Sequence, residues 1–556
     1  LKVRKGCASK VTVFYADRAQ ECFPLSFTPG EMTRIFADDD WDIFALTITA
    51  CPVRLGYYFL LASENGYAIF AGGFLYRSLP RDCAEGKTID NRSILFQYPY
   101  IWPAEIPQLP EWFRDAVVYS IFPDSFANGY RRCDGHASII SDSGCTSESR
   151  CGGTLAGITE NLDYIKDLGF NCIYLNPIMA SHSYHKYDIR DYRRVDPLLG
   201  SNGDFKALVG KAHTLGMRVV IDGVFNHTSD DFPAFADIKE KGAGSRGRDF
   251  YYDIKFPLLT ENAAGKTSPN YACFGYVPTM PKTNTSAAAV QDFFCGVGTY
   301  WIKEFGIDGW RLDVADEISH SFWRAFRKAT KAVDPEVVLI GEVWENSRAW
   351  LTFDQLDSAM NYDFRRHMAD FMAFKRIDTA EFKGRLIDQL TRYEDQYVAN
   401  QLNILDSHDV PRFLSLVGND TGLFHQALAI LFMFKGVPAL LYGDENDFTG
   451  ISESEYRKRM VFGTENKTKT LIRSLSLLRQ RIRPNECTLS FLDFPVNATL
   501  FGFALQRAKG PRYLVIGNFS GGNVPWSAKA GAAVQLSDHY RKGVFGPRGF
   551  AIIKEQ

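Results

Sequence analysis

Eight short apolar runs between residues 112 and 445 constrain this chain more than any other feature: VVYSI, CIYL, RVVI, GWRLD, VVLIGEV, SAMNY, LNILDS and PALLYG. Runs of this length, rich in Val, Ile and Leu, read as parallel strands buried on both faces. Helical patterns lie between them. Phe205, Leu208, Val209, Ala212 and Leu215 repeat at helical spacing, with Asp204 predicted to cap the start and Gly216 the end. Phe294, Val297, Trp301 and Phe305 mark another helix, closing at Gly306 just before GWRLD. Eight such strands are the number a closed barrel needs, so the predicted fold class is α/β, a (β/α)8 TIM barrel over residues 112–480.

The flanks read differently. Residues 1–108 hold short strands, including two aromatic runs around Asn65-Gly66, a strong hairpin signal, and are predicted to form an N-terminal β-sandwich. The Pro-studded YPYIWPAEIPQLPEW reads as a linker. Residues 228–290 are too long for a βα loop and predict a small inserted domain over the barrel mouth. Strand patterns return in TLFGFALQ and RYLVIGNFS, predicting a C-terminal β-sandwich over 485–556.

Composition narrows the function. A formal charge of −2 lacks the basic footprint of a nucleic-acid partner. No uninterrupted apolar run is long enough to span a membrane. The first residues carry no secretory-type apolar run, and eleven scattered cysteines fit cytosolic usage, so a cytoplasmic protein is expected. Cys133, Cys145 and Cys151 share one Ser/Gly-rich loop, which leaves a disulfide or a metal open there, although their spacing is not that of a zinc knuckle. His182 and His185 lack an evident third ligand, so no zinc is expected.

Three acids end strand-like runs: Asp313 in GWRLDVADE, Glu342 in VVLIGEVWE and Asp409 in NILDSHD. Barrels build their sites at the carboxyl ends of their strands, so the three are expected to converge on one mouth. Arg311, two residues before Asp313, faces the same side and is expected to keep that aspartate charged. Glu342 follows an apolar strand among other carboxylates, which favours its acid form. An ionised and a protonated carboxyl flanking one bond suit glycoside cleavage with retention. The structural alternative is an ion-pair network bracing the barrel mouth.

The ordered motifs DGVFNH (Asp222 to His227), GWRLDVADE (Gly309 to Glu317), GEVW (Gly341 to Trp344) and SHD (Ser407 to Asp409) resemble those of the α-amylase family, glycoside hydrolase family 13. Within it, HKYDIRDY, GWRLDVADEI and YVPTMPKTN are most similar to the neopullulanase, cyclomaltodextrinase and maltogenic-amylase branch. The resemblance implies Asp313 as nucleophile, Glu342 as general acid/base and Asp409 as a third carboxylate holding sugar hydroxyls. It further implies hydroxyl contacts from His227 and His408 and a stacking Tyr187. Arg412 is expected to bind hydroxyls or pair with Asp409, Trp344 and Phe274 to line the leaving-group side, and Asp188 to orient neighbours. Asp222 is open between a site role and a brace. The implied substrates are α-glucan oligosaccharides, cleaved at α-1,4 bonds, and the N-terminal domain suggests a homodimer.

The branch often binds calcium in the loop after the first strand. Here Asn128 and Asp134 remain, but Tyr130, Cys133 and Thr154 stand where ligands are common, so no calcium, and no other cofactor, is expected. Glu345 replaces a frequent His. Transglycosylation by the same residues is the competing enzymatic reading. A non-catalytic glucan-binding protein should have lost an acid or Arg311, and this chain keeps all four.

Overall fold

The computed structural model describes residues 1–19, 25–37, 40–49, 54–77, 94–98, 102, 106, 108–128, 150–261, 267–495 and 499–555. They divide into two compact units, residues 1–108 and 109–556.

In the first unit, a three-stranded sheet (Lys2–Arg4, Trp41–Ala45, Thr33–Ala37) and a larger sheet built on Lys10–Asp17 and Leu55–Ser63 enclose a small core of Val3, Val11, Phe44 and Phe59. The predicted hairpin joins Leu55–Ser63 to Gly66–Ala71, with Ser63 opposite Gly66. Gly66 has φ +121°, so the turn needs a residue without Cβ.

The second unit is the closed barrel. Its strands are β1 (Val118–Ile121), β2 (Cys172–Leu175), β3 (Arg218–Gly223), β4 (Gly309–Leu312), β5 (Val338–Gly341), β6 (Ser358–Asn361), β7 (Leu402–Ile404) and β8 (Val437–Leu441). They pair in parallel in chain order, and β8 closes on β1. Each of the eight apolar runs supplies one strand. Their alternate residues explain the unbroken hydrophobicity: Val118, Val220, Val338, Ile340 and Leu402 fill the barrel interior, while Tyr119, Ile221 and Leu339 face the helix layer. In that layer Phe205, Trp301 and Phe305 pack ring on ring.

Helix Asn202–Thr214 begins three residues earlier than predicted. Ser201 is its N-cap, and Asp204 is the reciprocal partner that returns a hydrogen bond to the Ser201 backbone N–H. Helix Ala288–Phe305 ends as predicted on Gly306, whose φ of +69° is left-handed.

Segment 228–290 carries helix Pro233–Lys241 and a two-stranded hairpin, packed around Phe235, Tyr251 and Tyr271. The C-terminal strands, predicted as a sandwich, are connected in one six-stranded antiparallel sheet. One face, with Phe501, Phe503 and Val515, joins the main core; the other gathers Leu500, Leu514 and Ile553. Among the described residues no helix is long and apolar enough to cross a membrane. Much of the predicted linker, and Tyr130, Cys133, Asp134 and Cys145, lie outside the described residues. Cys151 is disulfide-bonded.

Candidate active site

The barrel register brings the acids together. Asp222 pairs with Arg311 across β3 and β4, and Leu312 with Gly341 across β4 and β5. The ladder continues past the strand ends: the Asp313 amide donates to the Gly223 carbonyl (3.0 Å) and the Glu342 amide to the Leu312 carbonyl (2.9 Å). Successive strands therefore deliver successive carboxyls to one mouth. Asp313, Glu342 and Asp409 line a single cavity of about 510 Å³ with Tyr187, His227, Phe274 and Trp344.

Arg311 organises the floor. It is fully buried, with Nη1 2.9 Å from Asp222 Oδ1 and 2.8 Å from Asp313 Oδ1, and Nη2 2.7 Å from Glu342 Oε2. One guanidinium cannot neutralise three carboxylates, so the cluster favours keeping a proton. Burial, reinforced by the charges of Glu342 and Asp222 and opposed by Arg311, pushes the Asp313 carboxyl well above its ordinary range. The expectation that Arg311 alone would keep Asp313 charged is corrected here: the cation is shared, so desolvation prevails. Glu342 accepts from the Val314 amide (2.9 Å) and from Trp344 Nε1 (3.0 Å).

Val314 sits at φ +43°, ψ +50°, a left-handed conformation unfavourable for a β-branched residue. That strain, about 1–3 kcal/mol by the usual scale, turns the chain sharply after Asp313 and aims the Val314 N–H at Glu342.

Asp409 is treated differently. Burial would raise its carboxyl, but His408 at 2.8 Å and Arg457 at 2.9 Å outweigh it and hold Asp409 well below the usual carboxylate range. His408 also meets the Tyr187 hydroxyl (2.5 Å) and Asn176, and its ring stacks on Tyr187 at 5.8 Å. His227 is buried with neither ring nitrogen hydrogen-bonded, and lies against Phe274 at 4.8 Å. Burial lowers its pKa to about 3, so the ring is neutral and free to bond a ligand entering the cavity.

Asp222 does not line the cavity. It accepts from Arg311, Tyr174 (2.8 Å) and Tyr187 (3.0 Å), which makes it the brace beneath the floor. Asp188 orients its own loop, accepting from the Ser183 amide. His182 pairs with Asp231 and His185 contacts Ser183 Oγ. Arg412 is a correction. It is wholly buried, ion-pairs with Asp444 (2.9 Å) and donates to the Tyr456 carbonyl, away from the cavity; the arginine on Asp409 is Arg457. Sequence reasoning missed Arg457, Asn176, Glu317 and Tyr362, none of which closes a strand with an acid or histidine signal.

Asp124 and Thr154 border the loop where the branch often binds calcium. Asp124 accepts the Cys151 and Gly152 amides, and Thr154 Oγ1 caps helix Leu155–Glu160 by accepting from Gly157.

An eight-stranded barrel with several carboxyls gathered in one mouth cavity is an architecture that glycosidases use. Comparison with known proteins makes this specific. The family model "Alpha amylase, catalytic domain" matches residues 120–474. A cyclomaltodextrinase from Geobacillus thermopakistaniensis (strain MAS1) is 39% identical over 82% of this chain and 76% of the relative. Neopullulanase 2 from Thermoactinomyces vulgaris is 35% identical over 87% of this chain and 80% of its own. A solved cyclomaltodextrinase structure, 30% identical, superposes with a TM-score of 0.89 over 100% of this chain and 95% of that one. This chain belongs to the α-amylase family of glycoside hydrolases, in the branch that holds these relatives.

Proposed function

We propose that the protein hydrolyses α-1,4-glucosidic bonds with retention, acting on cyclic and short linear α-glucans. The observation that carries this is Arg311 holding Asp313 and Glu342 on one guanidinium, with both acids and Asp409 lining one cavity. The relatives named for cyclomaltodextrin and pullulan supply the substrate class.

Asp313 attacks the anomeric carbon and forms a glycosyl ester as the glycosidic C–O bond breaks. Glu342 gives its proton to the departing oxygen. Glu342 then takes a proton from water, whose oxygen displaces Asp313 and restores the acid. The first step needs Asp313 ionised and consumes a proton from Glu342, so the reactive form is the one in which the proton held among these crowded carboxyls lies on Glu342 and not on Asp313. Asp409, held ionised by His408 and Arg457, accepts hydrogen bonds from sugar hydroxyls. His227 supplies the complementary ring nitrogens, Tyr187 a ring face for the same sugar, and Phe274 and Trp344 the apolar walls of the leaving side.

Parallel digestion of β-cyclodextrin, pullulan and soluble starch, with products sized, tests this reading. Ring opening faster than starch digestion is expected, and inertness toward all three would refute it. No calcium enters the proposal. Exposed Tyr67, Phe74 and Leu75 in residues 1–108 support a dimer through that unit, read by light scattering. Five free thiols among the described residues favour a cytoplasmic enzyme and the bonded Cys151 opposes it, a balance that cell fractionation reads.

A further inference from the structure

The two oxygens of Glu342 are held in different ways. Oε2 is tied to the scaffold by the Val314 amide and by buried Arg311. Oε1 instead accepts from the indole N–H of Trp344 at 3.0 Å, and that side chain is 45% exposed. Trp344 lies flat on Tyr362, with centroids 4.3 Å apart and planes 9° apart, and the Tyr362 hydroxyl is 3.3 Å from Ser407 Oγ beside the His408–Asp409 pair. The indole is therefore fixed by stacking, so its N–H points at Oε1 before any ligand arrives.

An indole N–H donates only. It stabilises the carboxylate over the acid, and because Oε2 is taken by Val314 and Arg311, a protonated Glu342 carries its hydrogen on Oε1, turned away from the indole N–H and toward the cavity. We propose that Trp344 is a positioning residue whose N–H orients the Glu342 carboxyl and sets the pH above which the general acid loses its proton. This rests on Glu342 being the acid of the proposed hydrolysis and adds to it a role beyond lining the leaving side. The other groups facing Glu342 are Arg311 from β4, Asp313 and Asp316 after it, and the hydroxyls of Tyr174 on β2 and Tyr362 after β6. Asp222 and Asp409 act on the same cluster through Asp313. Removing the indole nitrogen leaves all of them in place.

The test is the pH dependence of kcat/KM on β-cyclodextrin for the full-length protein and Trp344→Phe, which keeps a ring on Tyr362 and deletes the donor. The alkaline limb of kcat/KM reports the acid of the free enzyme. Loss of one hydrogen bond to a charged group should move that limb upward by about one to two pH units. A limb that stays in place while KM changes, or one that moves downward, overturns the proposal. Glu342→Gln, assayed on β-cyclodextrin and on α-maltosyl fluoride, checks the foundation separately. It should lose the first activity and keep a fast burst of fluoride release on the second, whose leaving group needs no proton, with turnover then limited by the unassisted attack of water on the glycosyl ester. Retained cyclodextrin hydrolysis by Glu342→Gln would refute the assignment of the acid itself.

Discussion

Arg311 and Arg412 are both fully buried and each lies within three residues of a motif aspartate, yet one belongs to the site and the other to its foundations. Arg311 occupies a strand, where alternation fixes its direction into the barrel axis, and it reaches three carboxylates there. Arg412 follows Pro411 at the start of a short helix. Its guanidinium lies between the rings of Tyr442 and Phe448, at 5.2 and 5.6 Å, and pairs with Asp444. A strand position predicts where a side chain points; a turn position does not. Arg457, distant from the SHD motif in sequence, is the residue that closes on Asp409.

The contrast can be broken most sharply at the carboxylate beside Arg311. Asp313→Asn should lose at least about 10⁴-fold in kcat while remaining folded. Its stability should move the other way. The folded protein raises the Asp313 carboxyl, so between the ordinary aspartate value and the raised one the native state binds more protons than the unfolded chain. Stability contributed by this group is therefore present at acid pH and lost as pH rises. Thermal melts should show Asp313→Asn gaining over wild type at pH 7 and not at pH 4; a gain at pH 4 alone would contradict the sign.

Exchanging the two arginines' fates is the next largest effect. Arg311→Met should reduce kcat/KM by about 10³-fold, since the preorganised charge at the cleavage site is removed. Arg412→Met leaves Asp444 buried without its cation and should cost about 3–5 kcal/mol of stability, with kcat/KM per folded molecule unchanged. Denaturant unfolding beside active-site titration separates the two. Loss of catalysis in folded Arg412→Met would return that residue to the site.

Arg457→Met should lower kcat/KM by about 10- to 100-fold, the value of one charged hydrogen bond. Loss of Arg457 should also move the acid limb of the pH profile upward, because Asp409 becomes easier to protonate. The smallest expected effect is none: incubation with EDTA should leave the melting temperature in place, with Thr154 engaged as a helix cap. A fall of several degrees would restore calcium to the protein.

Legibility followed the source of each constraint. The eight strands were readable because a strand buried on both faces must be apolar throughout, and each apolar run matches one barrel strand. Asp313, Glu342 and Asp409 were readable because a strand end in a barrel has one place to go. The cap at Ser201 was displaced from Asp204 because a capping box puts two competent residues three positions apart. Asn176 and Tyr362 carry no sequence signal, since an amide or a phenol becomes part of a site only through what faces it.

The sequence by itself determined the barrel and which carboxyls reach its mouth, because hydrophobic period and strand alternation are local properties of the chain. Tertiary structure alone decided that Arg311 is divided among three acids, that burial raises the proton affinity of Asp313 despite that cation, and that Arg457 takes the partner expected for Arg412. Charge sharing and desolvation depend on neighbours brought in from distant segments, and no local pattern encodes them.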